Sequence, residues 1–244
     1  MYEFKIIRGS LILVLSLFTL VASSSSARAQ GLETKLAQRV KAFDSESSTS
    51  LAQLIDFARQ FGVPMGIEWR DEAEGRATPP IHARNTTAQN VLRQILRTEP
   101  DKRYRITGGV IHVFTLPILN DGRNFLNLRI SKFQVENQNL FGAEYLLRMS
   151  IHQILSRSQG YGGGHGYGVP RNDKFDVRNL NLVLNGTTVR EILNALAAGQ
   201  GNALWVVRMN PPRLMDNRRF YSQLLSLSGR EAAPDFQWEF VPLR

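Results

Sequence analysis

At 244 residues, with 43% hydrophobic side chains, the chain is long enough to bury one or two cores, and an internal repeat favours two. Its 30 Lys+Arg against 21 Asp+Glu give a formal net charge of +9, a field that draws anionic lipid, acidic glycan or nucleic acid without specificity. Cysteine is absent, which excludes a disulfide framework, a lipid-modified cysteine and any cysteine-bearing zinc site.

Residues 1–29 read as a secretory signal peptide. Lys5 and Arg8 give the positive start, Leu11 to Ala22 an apolar run, and Ala27-Arg28-Ala29 a small-residue cleavage site. That run is shorter than the roughly 20 residues a spanning helix needs. Cleavage would leave an exported chain, periplasmic or extracellular, with no integral membrane span; an uncleaved anchor is the alternative.

A first domain is expected over residues 30–115. Leu32 to Ala42 is mixed, with a short strand at Val40 and Ala42. The pattern Ser50-x-x-Gln53 is that of a helix start, with Leu51, Leu54, Ile55, Ala58 and Phe61 on one face and Gly62 and Pro64 as the stop. Met65 to Trp69 reads as a strand and Asp71 to Gly75 as an acidic turn. Pro79-Pro80 opens an edge strand, because proline cannot donate to a ladder. Thr86 or Thr87 then caps a helix carrying Val91, Leu92, Ile95 and Leu96. Two strands, Arg103 to Ile106 and Val110 to Phe114, flank the tight turn Gly108-Gly109.

A second domain is expected over residues 124–212, after a turn-rich passage around Pro117 and Gly122. Phe125 to Val135 reads as a long strand whose apolar phase changes between Phe125 and Leu128, or between Ile130 and Phe133, so it needs a bulge or a later start. Asn139 caps a helix with Leu140, Ala143, Leu147, Ile151, Ile154 and Leu155 on one side. The Gly160 to Gly168 loop interrupts, and a second threonine module runs from Phe175 through Met209. Residues 213–244 form a tail with a helical stretch around Tyr221 to Leu227. It ends on Phe236, Trp238 and Phe240 alternating as a strand does, expected to fold back on the domain or to dock on a partner.

The repeat is explicit. Ile81-His82-Ala83-Arg84-Asn85-Thr86-Thr87 and its helix are echoed by Leu182-Val183-Leu184-Asn185-Gly186-Thr187-Thr188 and its helix, each followed by a strand carrying an aromatic, Tyr104 or Trp205. The fold class expected is α+β, two small strand-helix-strand units with helices on short mixed sheets. Thr188-x-x-Glu191 makes a capping box, and Thr86-x-x-Gln89 makes one slipped by a position.

Chemistry-bearing patterns are sparse. His82, His112, His152 and His165 show no metal-ligand spacing, and each reads as an ordinary polar surface residue. The glycine loop lacks the Lys-Ser/Thr end of a phosphate loop, though Tyr161 and Tyr167 could grip a flat or sugar-like face. No Gly-x-Ser-x-Gly elbow is present, and Asp71, Glu72 and Glu74 cluster in a turn where solvated charge is the simpler reading. No catalytic residue, cofactor or metal ligand is therefore assigned, the binding residues stay unknown, and an enzyme is not expected.

Residues 37–114 resemble the short N-terminal domain of secretins and some TonB-dependent receptors, known as STN. The resemblance rests on Leu51-x-x-Leu54-Ile55-x-x-Ala58-x-x-Phe61-Gly62-Val63-Pro64, the threonine turn, Val91-Leu92-x-x-Ile95-Leu96, and Tyr104-x-Ile106 with its hairpin to Val113. Phe125 to Met209 resembles, more distantly, the other strand-helix domains of secretin periplasmic arms. Such a resemblance implies helices packed between small sheets, a periplasmic location and a role in docking other proteins or in assembling rings around a pore; the many-stranded barrel of secretins and receptors is not in the sequence. The expectation is a non-catalytic protein-binding module of the cell envelope. Binding to peptidoglycan or an anionic glycan is the alternative, a hydrolase is third, and nucleic acid is not expected as a partner.

Overall fold

The computed structural model describes residues 30–70, 77–120, 124–159, 178–201, 203–209 and 236–243. The signal segment, the acidic turn at Asp71 to Gly75, the glycine loop with His165 and the helical stretch at Tyr221 lie outside the described residues.

Helix α1 (residues 30–37) turns Leu32 and Leu36, one turn apart, into the core. Strand β1 (Arg39–Ser45) follows, then α2 (Ser50–Phe61). The residue capping α2 is Thr49, whose hydroxyl accepts from Ala52 N at 3.2 Å, one position before the expected start. The Ser50 hydroxyl is committed to Glu99 and the Gln53 amide to Ser47 O and Pro79 O, so neither serves a capping box. Gly62 ends the helix at φ 56°, a left-handed conformation that glycine adopts without strain.

Strand β2 (Met65–Arg70) leads across the undescribed turn to β3 (Ile81–Thr87) and α3 (Ala88–Leu96). The hairpin β4 (Lys102–Thr107) and β5 (Val110–Thr115) turns at Gly108 and Gly109, both at positive φ, and a four-residue helix α4 (Leu116–Leu119) follows. Residues Phe125–Asn127 form a 3-10 turn, which resolves the first change of apolar phase: β6 begins later, at Arg129, and runs to Gln138. Its register on β7 slips between Val135 and Gln138, where Asn137 sits at φ 50°. The irregularity therefore lies beyond Phe133. Asn139 caps α5 (Leu140–Gln159) by accepting from Gly142 N at 2.9 Å, and β7 (Leu180–Thr188), α6 (Val189–Gln200), β8 (Ala203–Met209) and β9 (Phe236–Pro242) complete the described elements.

The α+β class holds, with the helices packed on mixed sheets. Among the described residues, β1 pairs with β3 and β6 with β7 as antiparallel ribbons, and a five-stranded sheet runs β4-β5-β2-β8-β9. That sheet takes strands from both halves of the chain: β2 pairs in parallel with β5 on one side and β8 on the other. The tail strand β9 folds back onto β8, with Phe240 and Leu243 buried.

Each face of the sheet carries its own core. On one, Met65, Ile67, Ile111, Val113, Leu204 and Val206 meet α1, α2 and α3 and the β1–β3 ribbon. On the other, Val110, Trp205, Val207 and Phe240 meet α5, α6 and the β6–β7 ribbon. The order is therefore ribbon, helix pair, sheet, helix pair, ribbon, with the short α1 added on the α2–α3 side.

The repeat is wider than the threonine motif. Asn85 and Gly186 fall at the same place and are both left-handed, at φ 48° and 61°. Arg39 pairs with Thr87 as Arg129 pairs with Thr188, and each ribbon buries a phenylalanine four residues on, Phe43 or Phe133. Ala88 N donates to Gln38 O and Val189 N to Leu128 O. Both helices are capped by the second threonine: Thr87 accepts from Asn90 N, and Thr188 shares a full box with Glu191. The slipped box at Thr86 and Gln89 does not form, because Gln89 donates to the Tyr104 hydroxyl instead. Thr87→Ala is expected to lower stability by about 1 kcal/mol and Thr86→Ala by less, read as midpoints of urea denaturation.

Candidate functional site

Strand β2 reads Met65-Gly66-Ile67-Glu68-Trp69, and alternation puts Gly66 and Glu68 on the face opposite Met65, Ile67 and Trp69. Gly66 is required by its neighbour. A Cβ there would lie 2.3 Å from Cζ2 of Trp205, so the absent side chain is what lets the fully buried indole lie across β2. Trp205 donates its Nε1 proton to Asn194 Oδ1 at 2.9 Å, as Tyr104 meets Gln89 in the first copy.

Glu68 is fully buried, and three elements converge on it. His112 of β5, also fully buried, places Nε2 2.7 Å from Oε1. Arg190, in the first turn of α6, bonds Oε1 through Nε and Oε2 through Nη2, the latter at 3.1 Å. Asn124 Nδ2 stands 3.4 Å from Oε2, and Asn127 Oδ1 accepts Arg190 Nη1 at 2.5 Å. A carboxylate from the first half of the chain is thus held by a guanidinium from the second, beside the β2–β8 pairing.

Burial alone raises the Glu68 carboxyl, but hydrogen bonds from His112 and Arg190, together with the Arg190 charge, outweigh it and hold its pKa below the ordinary value. Burial lowers the His112 imidazole, and that effect exceeds the opposing pull of Glu68. His112 is therefore neutral, gives its Nε2 proton to Glu68 and leaves Nδ1 buried without a hydrogen-bond partner. The result is a charge-balanced Glu–Arg pair with a neutral histidine, closed to solvent. It fastens the two halves of the chain.

The expectation that His112 is a surface residue is overturned, because its strand is buried on both faces. His82 is exposed and bonds Asp44 at 2.9 Å; His152 is half-buried on α5. The sequence did carry a signal for the cluster: Glu68 inside Met-Gly-Ile-Glu-Trp, His112 inside Val-Ile-His-Val-Phe, and Arg190 on the apolar side of α6 are polar groups where the pattern demands apolar ones.

An open, shallow depression of about 680 Å³ lies beside Asp44, Glu46, Asp56 and Arg59. Its acids are already engaged. Asp56 accepts from the Ser45 and Ser47 hydroxyls at 2.6 and 2.7 Å, and Asp44 from Arg84 and His82, which lower its pKa in that order. No group of three His, Cys, Asp or Glu side chains among the described residues is placed to hold a metal ion, and no described helix is long and apolar enough to cross a membrane. What remains open is backbone: β4 and β9 are the outer strands of the described sheet, and each two-stranded ribbon has unpaired edges.

Compared with known proteins, the chain matches no protein-family profile, no curated protein and no solved structure.

Removing Arg190 alone strands a buried carboxylate. Arg190→Met is expected to lower stability by about 3–5 kcal/mol in urea denaturation, and the double variant Glu68→Met/Arg190→Met to recover about half of that loss. A second outcome concerns pH. Both groups have folded pKa values below their ordinary ones, so the unfolded chain binds more protons, and stability is full above pH 6.5, the ordinary value of histidine. It is expected to decline as pH falls below 6.5 through the lowered His112 value, and further below 4.5 as Glu68 protonates. His112→Gln flattens the first decline, measured as melting temperature against pH.

Proposed function

We propose that this chain is an exported, non-catalytic docking protein of the cell envelope, built from STN-like units, that binds partner proteins through open sheet edges. The observation that carries the reading is the layering: helix pairs sit between a two-stranded ribbon and a larger sheet, the arrangement implied by the STN resemblance, and the backbone edges β4 and β9 end the sheet. An edge strand offers unsatisfied N–H and C=O groups in a row, and an incoming strand satisfies them without any induced cavity. The polar cluster that most resembles a reaction centre is sealed and works as a fastener. Export rests on the leader-like residues 1–29, and a link to a secretin or TonB-type system on the resemblance.

A tagged full chain expressed with its leader in a diderm bacterium tests this directly. The expected result is fractionation with the periplasm and co-purification, after mild crosslinking, of a defined envelope protein absent from a control bearing only the leader. Cytoplasmic retention, or no protein above that control, contradicts it. Parallel sedimentation with purified cell-wall sacculi at low and high salt separates the glycan alternative, for which low-salt sedimentation of the chain alone is required.

A further inference from the structure

Resting on that docking reading, we infer that the outer edge of β4 is the docking edge and that its partner is an acidic, extended segment of another protein, added as a sixth strand. The backbone sets the site. Gly108 and Gly109, both left-handed, make a two-residue loop that closes on the Thr107–Val110 pair, which is hydrogen-bonded in such hairpins. Antiparallel alternation then commits Arg105 and Arg103 to β5 and turns the N–H and C=O of Tyr104 and Ile106 to the open side.

The charge sets the partner. Arg103 and Arg105 are exposed on one face of β4, with the Arg105 guanidinium 5.3 Å from the centre of the Phe114 ring. On the other face Gln89 of α3 holds the Tyr104 hydroxyl, and Arg93 and Arg97 continue the same row of that helix at successive turns, both exposed. An added strand therefore meets arginine on both of its faces. Among the described residues none of the four arginines forms an ion pair. The two acids in the adjoining turn are turned elsewhere, Glu99 to Ser50 and Asp101 to Lys102.

The other described surfaces differ. On the β1–β3 ribbon Asp44 lies against Arg84 and His82 beside the exposed Arg39 and Lys41, so the charges are mixed, and the β6–β7 ribbon mixes Lys132 with Glu136. A second copy pairing through β4 would bring arginine against arginine, which like-charge repulsion disfavours. A segment with Asp or Glu in adjacent pairs, one side chain of each pair on either face, supplies both the backbone bonds and the charge.

The test is fluorescence anisotropy of the full chain with a labelled peptide about nine residues long, built of Glu-Glu-Thr-Val repeats so that Glu lies on both faces of the strand. Binding is expected, with slowed amide exchange at Tyr104 and Ile106. A Lys-for-Glu peptide, and the variants R103E/R105E and R93E/R97E, are each expected to bind about tenfold more weakly. A same-composition peptide with a central proline, unable to complete the ladder, is expected to lose binding as well. Equal binding by the Lys peptide or by the proline peptide overturns the inference, as does protection of Tyr104 and Ile106 arising from self-association without peptide. If the acidic peptide fails while an envelope protein is still captured through another edge, this assignment falls and the docking reading stands; if neither binds, both fall.

Discussion

The structure depends on the seam where β2 meets β8. Gly66 and Trp205 are paired across it, and the missing Cβ gives the indole its bed. Two residues further along β2, Glu68 takes Arg190 from α6 and His112 from β5 on that same face. The pairing alone would leave two small modules touching along one strand. The indole and the ion pair turn that contact into a common interior, because neither side can withdraw without exposing Trp205 to water or leaving a buried charge unpaired.

Much of the local structure was legible in the sequence because it follows from short-range rules. The apolar stripe of α2, the Gly62 stop, the Gly108-Gly109 turn, the Asn139 cap and the tail strand each need only a few neighbouring residues to specify them. The failures were of two kinds. Caps moved when a distant partner claimed the expected group, as Glu99 claimed Ser50 and Tyr104 claimed Gln89. Helix α1 was missed because only Leu32 and Leu36 face the core, too few for a periodic signal.

The seam itself was not legible. A parallel pairing between Met65–Arg70 and Ala203–Met209 has no local signature, since no turn joins the strands and each could equally have ended its own small sheet. The stretches 30–115 and 124–212 read as separate units because each carries its own helix pair and ribbon. In the folded chain they share the sheet between them. The clues were Glu68, His112 and Arg190, polar residues set in apolar runs, and they become intelligible only together.

Such a layout also accounts for where binding can occur. Both helix pairs are spent on the two faces of the sheet, so among the described residues the outer strands and ribbons are what the fold leaves for contact. In the docking role proposed above, joining the modules through one sheet would hold those edges in a fixed relation.

The most direct measurement is native-state hydrogen exchange across the seam. If the modules form one cooperative body, the amides of α3 and β5 and those of α6 and β8 exchange with a common free energy of opening, and Arg190→Met lowers both sets by the same amount. Two distinct opening energies, with the variant lowering only the α6 and β8 set, would show that the halves unfold independently and would contradict the account.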